Sequence, residues 1–128
     1  MNDTPEILPA QHPGLSRNSE GRLTREVVPV VGMACTMPTG SDSHPGTVIE
    51  VARGGRRVLV QRDRVRGGPG HNYYGSQNWV YSRNPHGKIL EFSLRKDGSW
   101  IQKGVPLKSW GYGRAYFGNR RAYQNPSF

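Results

Sequence analysis

Residues 46–63 read GTVIEVARGGRRVLVQRD, and the alternation on either side of Gly54-Gly55 decides the fold class. Thr47, Ile49 and Val51 fall on one face of an extended chain and Val48 and Glu50 on the other; beyond the glycine pair, Val58 and Val60 alternate again. Successive side chains of a strand point to opposite faces, and paired glycines reach turn conformations that other residues resist, so the stretch predicts an antiparallel hairpin.

Working outward, residues 78–104 read NWVYSRNPHGKILEFSLRKDGSWIQKG. The turn formers Asn84-Pro85-His86-Gly87 and Lys96-Asp97-Gly98-Ser99 divide this stretch into strands around 78–83, 88–95 and 99–103. Leu90, Phe92 and Leu94 share a face and are expected to point inward, with Trp79 and Trp100 as further core residues. Toward the N-terminus, EVVPVVGM (26–33) is a β-rich run in which Pro29 removes one donor and suits a strand end or edge. Glycine and proline make up 27 of 128 residues, and no segment longer than about ten residues carries the 3.6-residue helical period. Five or six short sequential strands predict an all-β fold, a small antiparallel barrel or roll of the SH3-like or OB-like kind. Residues 66–78, RGGPGHNYYGSQN, are expected to form a long loop between hairpins.

Residues 1–26 contain Pro5, Pro9, Pro13 and Gly14 with few β-branched side chains, the pattern of an extended arm. The organisation expected is an arm over 1–26 and a barrel domain over 27–128. Ile7 and Leu8 could dock the arm on a neighbour, which makes a homo-oligomer the expected assembly. The single cysteine, Cys35, allows no internal disulfide and suits a reducing cytoplasm. The N-terminal stretch lacks the basic and apolar regions of a signal peptide, and no run of 18 apolar residues is present, so no membrane partner is expected.

The net charge is +9, and it is unevenly placed: residues 1–52 are net acidic, 53–68 carry six Arg against Asp63, and 93–128 carry seven cations against Asp97. Fourteen of the 18 cations are Arg, the side chain suited to bidentate phosphate contacts and to stacking on rings. A phosphate-bearing partner follows; the competing reading is that the charge only keeps a small protein soluble.

Catalytic groups are missing. SDSH (41–44) holds a hydroxyl, an acid and an imidazole, but strand neighbours alternate sides, so only Asp42 and His44 can share a face. The plainer reading is a turn leading into Pro45-Gly46, with Asp42 free to accept a hydrogen bond from a ligand. His12, His44, His71 and His86 lack metal-ligand spacing, the 67–70 glycines precede no Gly-Lys-Ser/Thr, and the nine acids do not cluster. No enzyme, metal or cofactor is expected.

What remains is Arg interleaved with aromatics, a pairing that suits nucleotides because Arg meets phosphate while flat rings meet bases. The ligand-binding set expected is Asp42, His44, Arg57, Arg62, Tyr73, Tyr74, Trp110, Tyr112, Arg114, Arg120, Arg121 and Tyr123. Arg114-Ala115-Tyr116 returns as Arg121-Ala122-Tyr123, which predicts a packed strand or turn rather than a solvated tail. Some of these tyrosines are expected to seal the barrel's open end.

VGMACT (31–36), SDSHPGTV (41–48), LVQRD (59–63), FSLRKDGSW (92–100) and GNRRAYQNPSF (118–128) together resemble a family of small, mostly phage- and plasmid-encoded proteins. That family ends in Asp-Pro-Ser-Phe where this chain has Asn125-Pro126-Ser127-Phe128. It is similar to phage sponge proteins that sequester the cyclic nucleotide signals of bacterial antiviral defence. The resemblance implies a non-catalytic binder of a cyclic di- or oligonucleotide. The alternative on charge alone is a DNA- or RNA-binding barrel module.

Overall fold

The computed structural model describes residues 7–10, 28–106, 112–124 and 126. The strands among them are β1 (Ile7–Leu8), β2 (Ala34–Thr39), β3 (Asp42–Ala52), β4 (Arg57–Arg62), β5 (Arg64–Gly67), β6 (Trp79–Ser82), β7 (Ile89–Leu94), β8 (Trp100–Gln102) and β9 (Tyr116–Phe117). The fold is all-β, as the alternation predicts.

Six strands form one antiparallel sheet in the order β8-β7-β4-β3-β2-β9, curled into a half-barrel. Its two edges are brought together by residues 113–117. Gln102 N–H donates to Gly113 O and Ala115 N–H to Trp100 O on the β8 side, while Phe117 pairs with Cys35 on the β2 side. Across this seam the Trp100 and Phe117 rings meet edge to face, centroids 5.2 Å apart. The Arg-Ala-Tyr phrase at 114–116 is therefore the stave that links both edges of the sheet.

Val58 and Val60 of β4, Phe92 of β7, Val48 of β3 and Met33, Cys35 and Met37 beside them fill the interior. Leu90 and Leu94 pack partly buried against it, so the inward face expected of β7 is observed. Burial foremost, then the nearby Asp63 carboxylate, pushes the Cys35 thiol well above its ordinary range, which leaves it inert packing.

The hairpin departs from simple alternation at one point. A register shift between Val48 and Glu50 puts a bulge in β3, so Val48 is buried and Val51 also packs against the core while Glu50 is exposed. The turn expected over Asp42–Gly46 is instead strand; the reversal lies earlier, at Gly40-Ser41, where Gly40 has φ +65°. Pro38 and Pro45 are tolerated because each sits beyond the end of a neighbouring ladder, β9 pairing only Cys35 and Thr36, and β4 pairing begins at Gly46. Residues 28–33, within the run expected as a strand, form none, and the first strand of the large sheet is Ala34–Thr39.

A second, three-stranded sheet runs in the order β1-β6-β5. Trp79, expected in the core, belongs here and lies half-buried against His71. Of the arm, residues 7–10 are described, and Ile7 and Leu8 pair with Ser82 and Tyr81 of the same chain. A buried polar layer joins this sheet to the barrel's outer side: Arg120 Nε donates to Asp63 Oδ2, Thr47 Oγ1 donates to Asp63 Oδ1, and Arg120 reaches Pro9 O. No helix among the described residues is long and apolar enough to cross a membrane.

Candidate functional site

Alternation positions the site. On β4 the inward residues are Val58, Val60 and then Arg62; on β7 they are Phe92 and Leu90, with Lys88 one step before the strand. On β2 the inward row Cys35, Met37 ends in Thr39, and on β3 Val48 and Gly46 lead to His44. Four adjacent apolar rows thus end in Thr39, His44, Arg62 and Lys88 on one rim. Arg114 faces them from the closing segment. Together with Met37, Leu90 and Phe92 these residues line an open recess of about 120 Å³. A cavity of about 150 Å³ takes a single benzene ring, so the recess has room for about one phosphate-sized group.

Hydrogen bonds fix the rim. The Arg62 guanidinium can only donate, so its Nη2 contact of 2.5 Å makes His44 Nδ1 an acceptor. The ring proton is then on Nε2, which donates to Thr39 Oγ1 at 2.9 Å. Burial first, and then Arg62, holds His44 below its ordinary pKa, against the pull of Asp42. His44 is neutral at pH 7, and neither ring nitrogen presents a lone pair to the recess. From below, Gly87 packs against the strand: a Cβ there would lie 2.2 Å from Arg62 O, and Gln61 Nε2 donates to both Pro85 O and Gly87 O. Only glycine lets this turn approach closely enough to bring Lys88 to the rim.

The residues expected to bind ligand divide between places. Asp42, His44, Arg62 and Arg114 come together at the rim; Asp42 pairs with Thr39 at the hairpin end and is near enough to act on His44. Tyr112, 50% exposed, immediately precedes Gly113 of the lining. Tyr73, Tyr74, Arg121 and Tyr123 form a second group. The rings of Tyr73 and Tyr74 are 5.1 Å apart, Arg121 lies over the Tyr123 ring, and Gln77 ties the Tyr73 backbone to Gln124. Arg57 and Arg120 are engaged elsewhere. Arg57 pairs with Glu91, and it lies five residues from Arg62 on the opposite face of β4, about 17 Å away at ~3.4 Å per residue. Arg120 is buried against Asp63. Trp110, with His12 and most of the Asn125–Phe128 ending, lies outside the described residues.

Lys88, Thr39 and Gln102 were not among the expected ligands. Lys88 was findable: continuing the Phe92, Leu90 row by one step names it, as the step past Val60 names Arg62. Thr39 ends the Cys35, Met37 row by the same spacing, while Gln102 reaches the site through cross-strand register, which the sequence does not display. Among the described residues no group of three or more His, Cys, Asp or Glu is placed to hold a metal.

No protein-family model, no curated protein and no solved structure matches this chain.

Proposed function

We propose that this barrel is a non-catalytic nucleotide-binding protein that sequesters a cyclic di- or oligonucleotide signal, with a phosphate seated among Arg62, Lys88 and Arg114. The observation that carries this reading is the convergence of three cations on one rim above an apolar floor of Met37, Leu90 and Phe92. Guanidinium forks match phosphate oxygens, while the floor suits a sugar or base edge. The Arg62-His44-Thr39 chain supports binding without turnover, because the one imidazole at the site already has both nitrogens engaged. The recess takes about one phosphate group of the ligand, so the rest of a cyclic nucleotide projects toward the surface.

Isothermal titration against a panel of cyclic di- and oligonucleotides tests the reading. Binding with recovery of the intact ligand after denaturation is expected, together with a loss of at least tenfold in Arg62→Ala, since a charge-assisted contact contributes about 1.5–3 kcal/mol. No heat with any member of the panel rejects it. A homo-oligomer formed through the arm belongs to the same proposal, and light scattering on the full chain reads it directly.

A second reading is favoured by a different observation. Leu94 N–H donates to Arg56 O, which places the 53–56 and 95–98 turns side by side, and Arg53, Arg56, Arg95 and Lys96 are all exposed there. Such a cluster suits a nucleic-acid backbone. Salt separates the two: a duplex or strand held by six or more phosphates loses about 10³-fold or more between 50 and 200 mM salt, and a pocket for two phosphates far less.

A further inference from the structure

We infer that the recess binds its anion together with one proton from solvent: the anion draws Arg62 away from His44, and the freed imidazole takes up the proton and becomes a second donor to the same anion. This rests on reading the recess as the phosphate seat. Arg62 Nη2 stands 2.5 Å from His44 Nδ1. A guanidinium has donors only, so this bond lasts only while Nδ1 keeps its lone pair. Protonation of Nδ1 would set two donors face to face. The neutral ring tied to Arg62 is therefore one state of the site, and an imidazolium with Arg62 turned elsewhere is the other.

An anion in the recess favours the second state for two reasons. A charged oxygen accepts a hydrogen bond roughly twice as strong as a neutral acceptor does, so it outcompetes His44 for the Arg62 donor. It also changes the charge around the ring. His44 meets Arg62 from β4, the uncharged Thr39 hydroxyl from β2 and the Asp42 charge of its own strand, and it shares the recess lining with Lys88 and Arg114. Burial and Arg62 hold the ring neutral against the pull of Asp42. A seated phosphate adds negative charge beside the ring and takes the opposing Arg62 charge onto itself.

The ring is already aimed for the exchange. Its Nε2–H donates to Thr39 Oγ1 at 2.9 Å, a bond that both protonation states can make, so the imidazole needs no flip. The new Nδ1–H points where the lone pair met Arg62, on the lining that both residues share. Linkage makes the exchange visible from either side: an anion that raises the proton affinity of His44 is itself bound more tightly, by the same factor, once the ring is protonated. The anion-free ring titrates below 6.5, so the gain is expected to grow as pH falls from 7.5 and to level off where that ring also protonates.

Sulfate serves as the probe, because it is phosphate-sized and keeps its charge over this pH range. The His44 ring resonances are followed by NMR against pH in the full chain, with saturating sulfate and with chloride at matched ionic strength. Sulfate is expected to raise the His44 midpoint by about one pH unit, which corresponds to about tenfold tighter sulfate binding at the acid limit than at the alkaline one. The His71 and His86 midpoints are expected not to move. His44→Gln, which cannot titrate, is expected to bind sulfate with an affinity that no longer depends on pH. If sulfate shifts the Arg62 and Arg114 side-chain resonances but leaves the His44 midpoint where it was, or if His44→Gln keeps the parent's pH dependence, the proton coupling is overturned and the phosphate seat stands. If sulfate disturbs none of Arg62, Lys88 and Arg114 at any pH, or if Arg62→Ala binds it like the parent, the phosphate seat itself is wrong, and the coupling falls with it.

Discussion

Arg120 Nε lies 3.0 Å from Asp63 Oδ2, 57 residues earlier in the chain, with the two side chains 3% and 0% exposed. Three further bonds saturate the site: Thr47 Oγ1 donates to the other carboxylate oxygen, Arg120 Nη2 donates to that hydroxyl, and Nη1 donates to Pro9 O. Burial pushes the Asp63 carboxyl above its ordinary value even so, against the pull of Thr47 and Arg120. The pair fastens β1 and the second sheet to the outside of the barrel.

Removing one partner leaves a buried charge uncompensated. Arg120→Met is expected to lose about 3–5 kcal/mol in urea unfolding, a large share of a small domain's stability. The paired variant Arg120→Met with Asp63→Leu is expected to recover most of that loss, because no buried charge is left alone. A double variant as unstable as the single one would show that the bonds to Thr47 and Pro9, not the charge pair, hold the layer. Amide exchange at Ile7 and Leu8 is expected to rise in both variants, since the Arg120 contact to Pro9 is lost in each.

At Gly46 of β3 the neighbouring strands leave no room for a side chain. A Cβ there would lie 2.6 Å from Val60 Cγ1, 2.8 Å from Met37 Cε and 3.2 Å from Gln61 O. Met37 can swing away, but Val60 is a fully buried branched side chain. Gly46→Ala is expected to cost about 1–3 kcal/mol by overpacking. Adding Val60→Ala removes the obstructing methyl, so the two losses are expected to be less than additive in a double-mutant cycle. Additive losses would place the clash on the Gln61 backbone.

The parts of this architecture that a sequence shows are those with local period. Val58, Val60, Leu90, Phe92 and Leu94 declare their inward face by spacing alone, and the same spacing reaches Arg62 and Lys88. The bulge at Val48 to Glu50 breaks the period without a Gly or Pro to announce it. The closing stave at 113–117 makes two short pairings with different strands, too brief for either period to be visible. Arg120 looked like a ligand because an Arg among aromatics needs an anion, and its anion, Asp63, is distant in sequence. The split of the Arg and Tyr residues into a rim and a second group follows from the second sheet, whose β1-β6-β5 order no alternation encodes.

The His44 environment makes stability depend on pH in a stated direction. Its folded pKa lies below the ordinary 6.5, with burial the largest cause and Arg62 next. At pH 7.5 both folded and unfolded His44 are neutral; as pH falls through 6.5 the unfolded chain takes a proton that the folded chain refuses, so stability is lost on the acid side. Urea midpoints at pH 7.5 and 5.5 are expected to differ more for the parent than for His44→Gln, which keeps a polar group but cannot titrate. Equal differences would mean that other groups govern the acid limb.

Trp100 and Phe117 link ring closure to the recess. Each is 8% exposed; Trp100 lies on β8 and Phe117 on the 113–117 stave that pairs with β8 and β2, the same stave that carries Arg114 to the rim. Phe117→Ala is expected to cost about 3–5 kcal/mol, the range for a buried aromatic truncated to alanine. Trp100 emission is expected to shift to the red as water enters the seam. Ligand affinity is expected to fall further than in Tyr116→Ala, whose ring is 58% exposed on the outward side of the same strand. A Phe117→Ala variant that stays folded and binds as tightly as Tyr116→Ala would mean that Arg114 holds its place without the seam, with its contacts to β8 sufficient to position it.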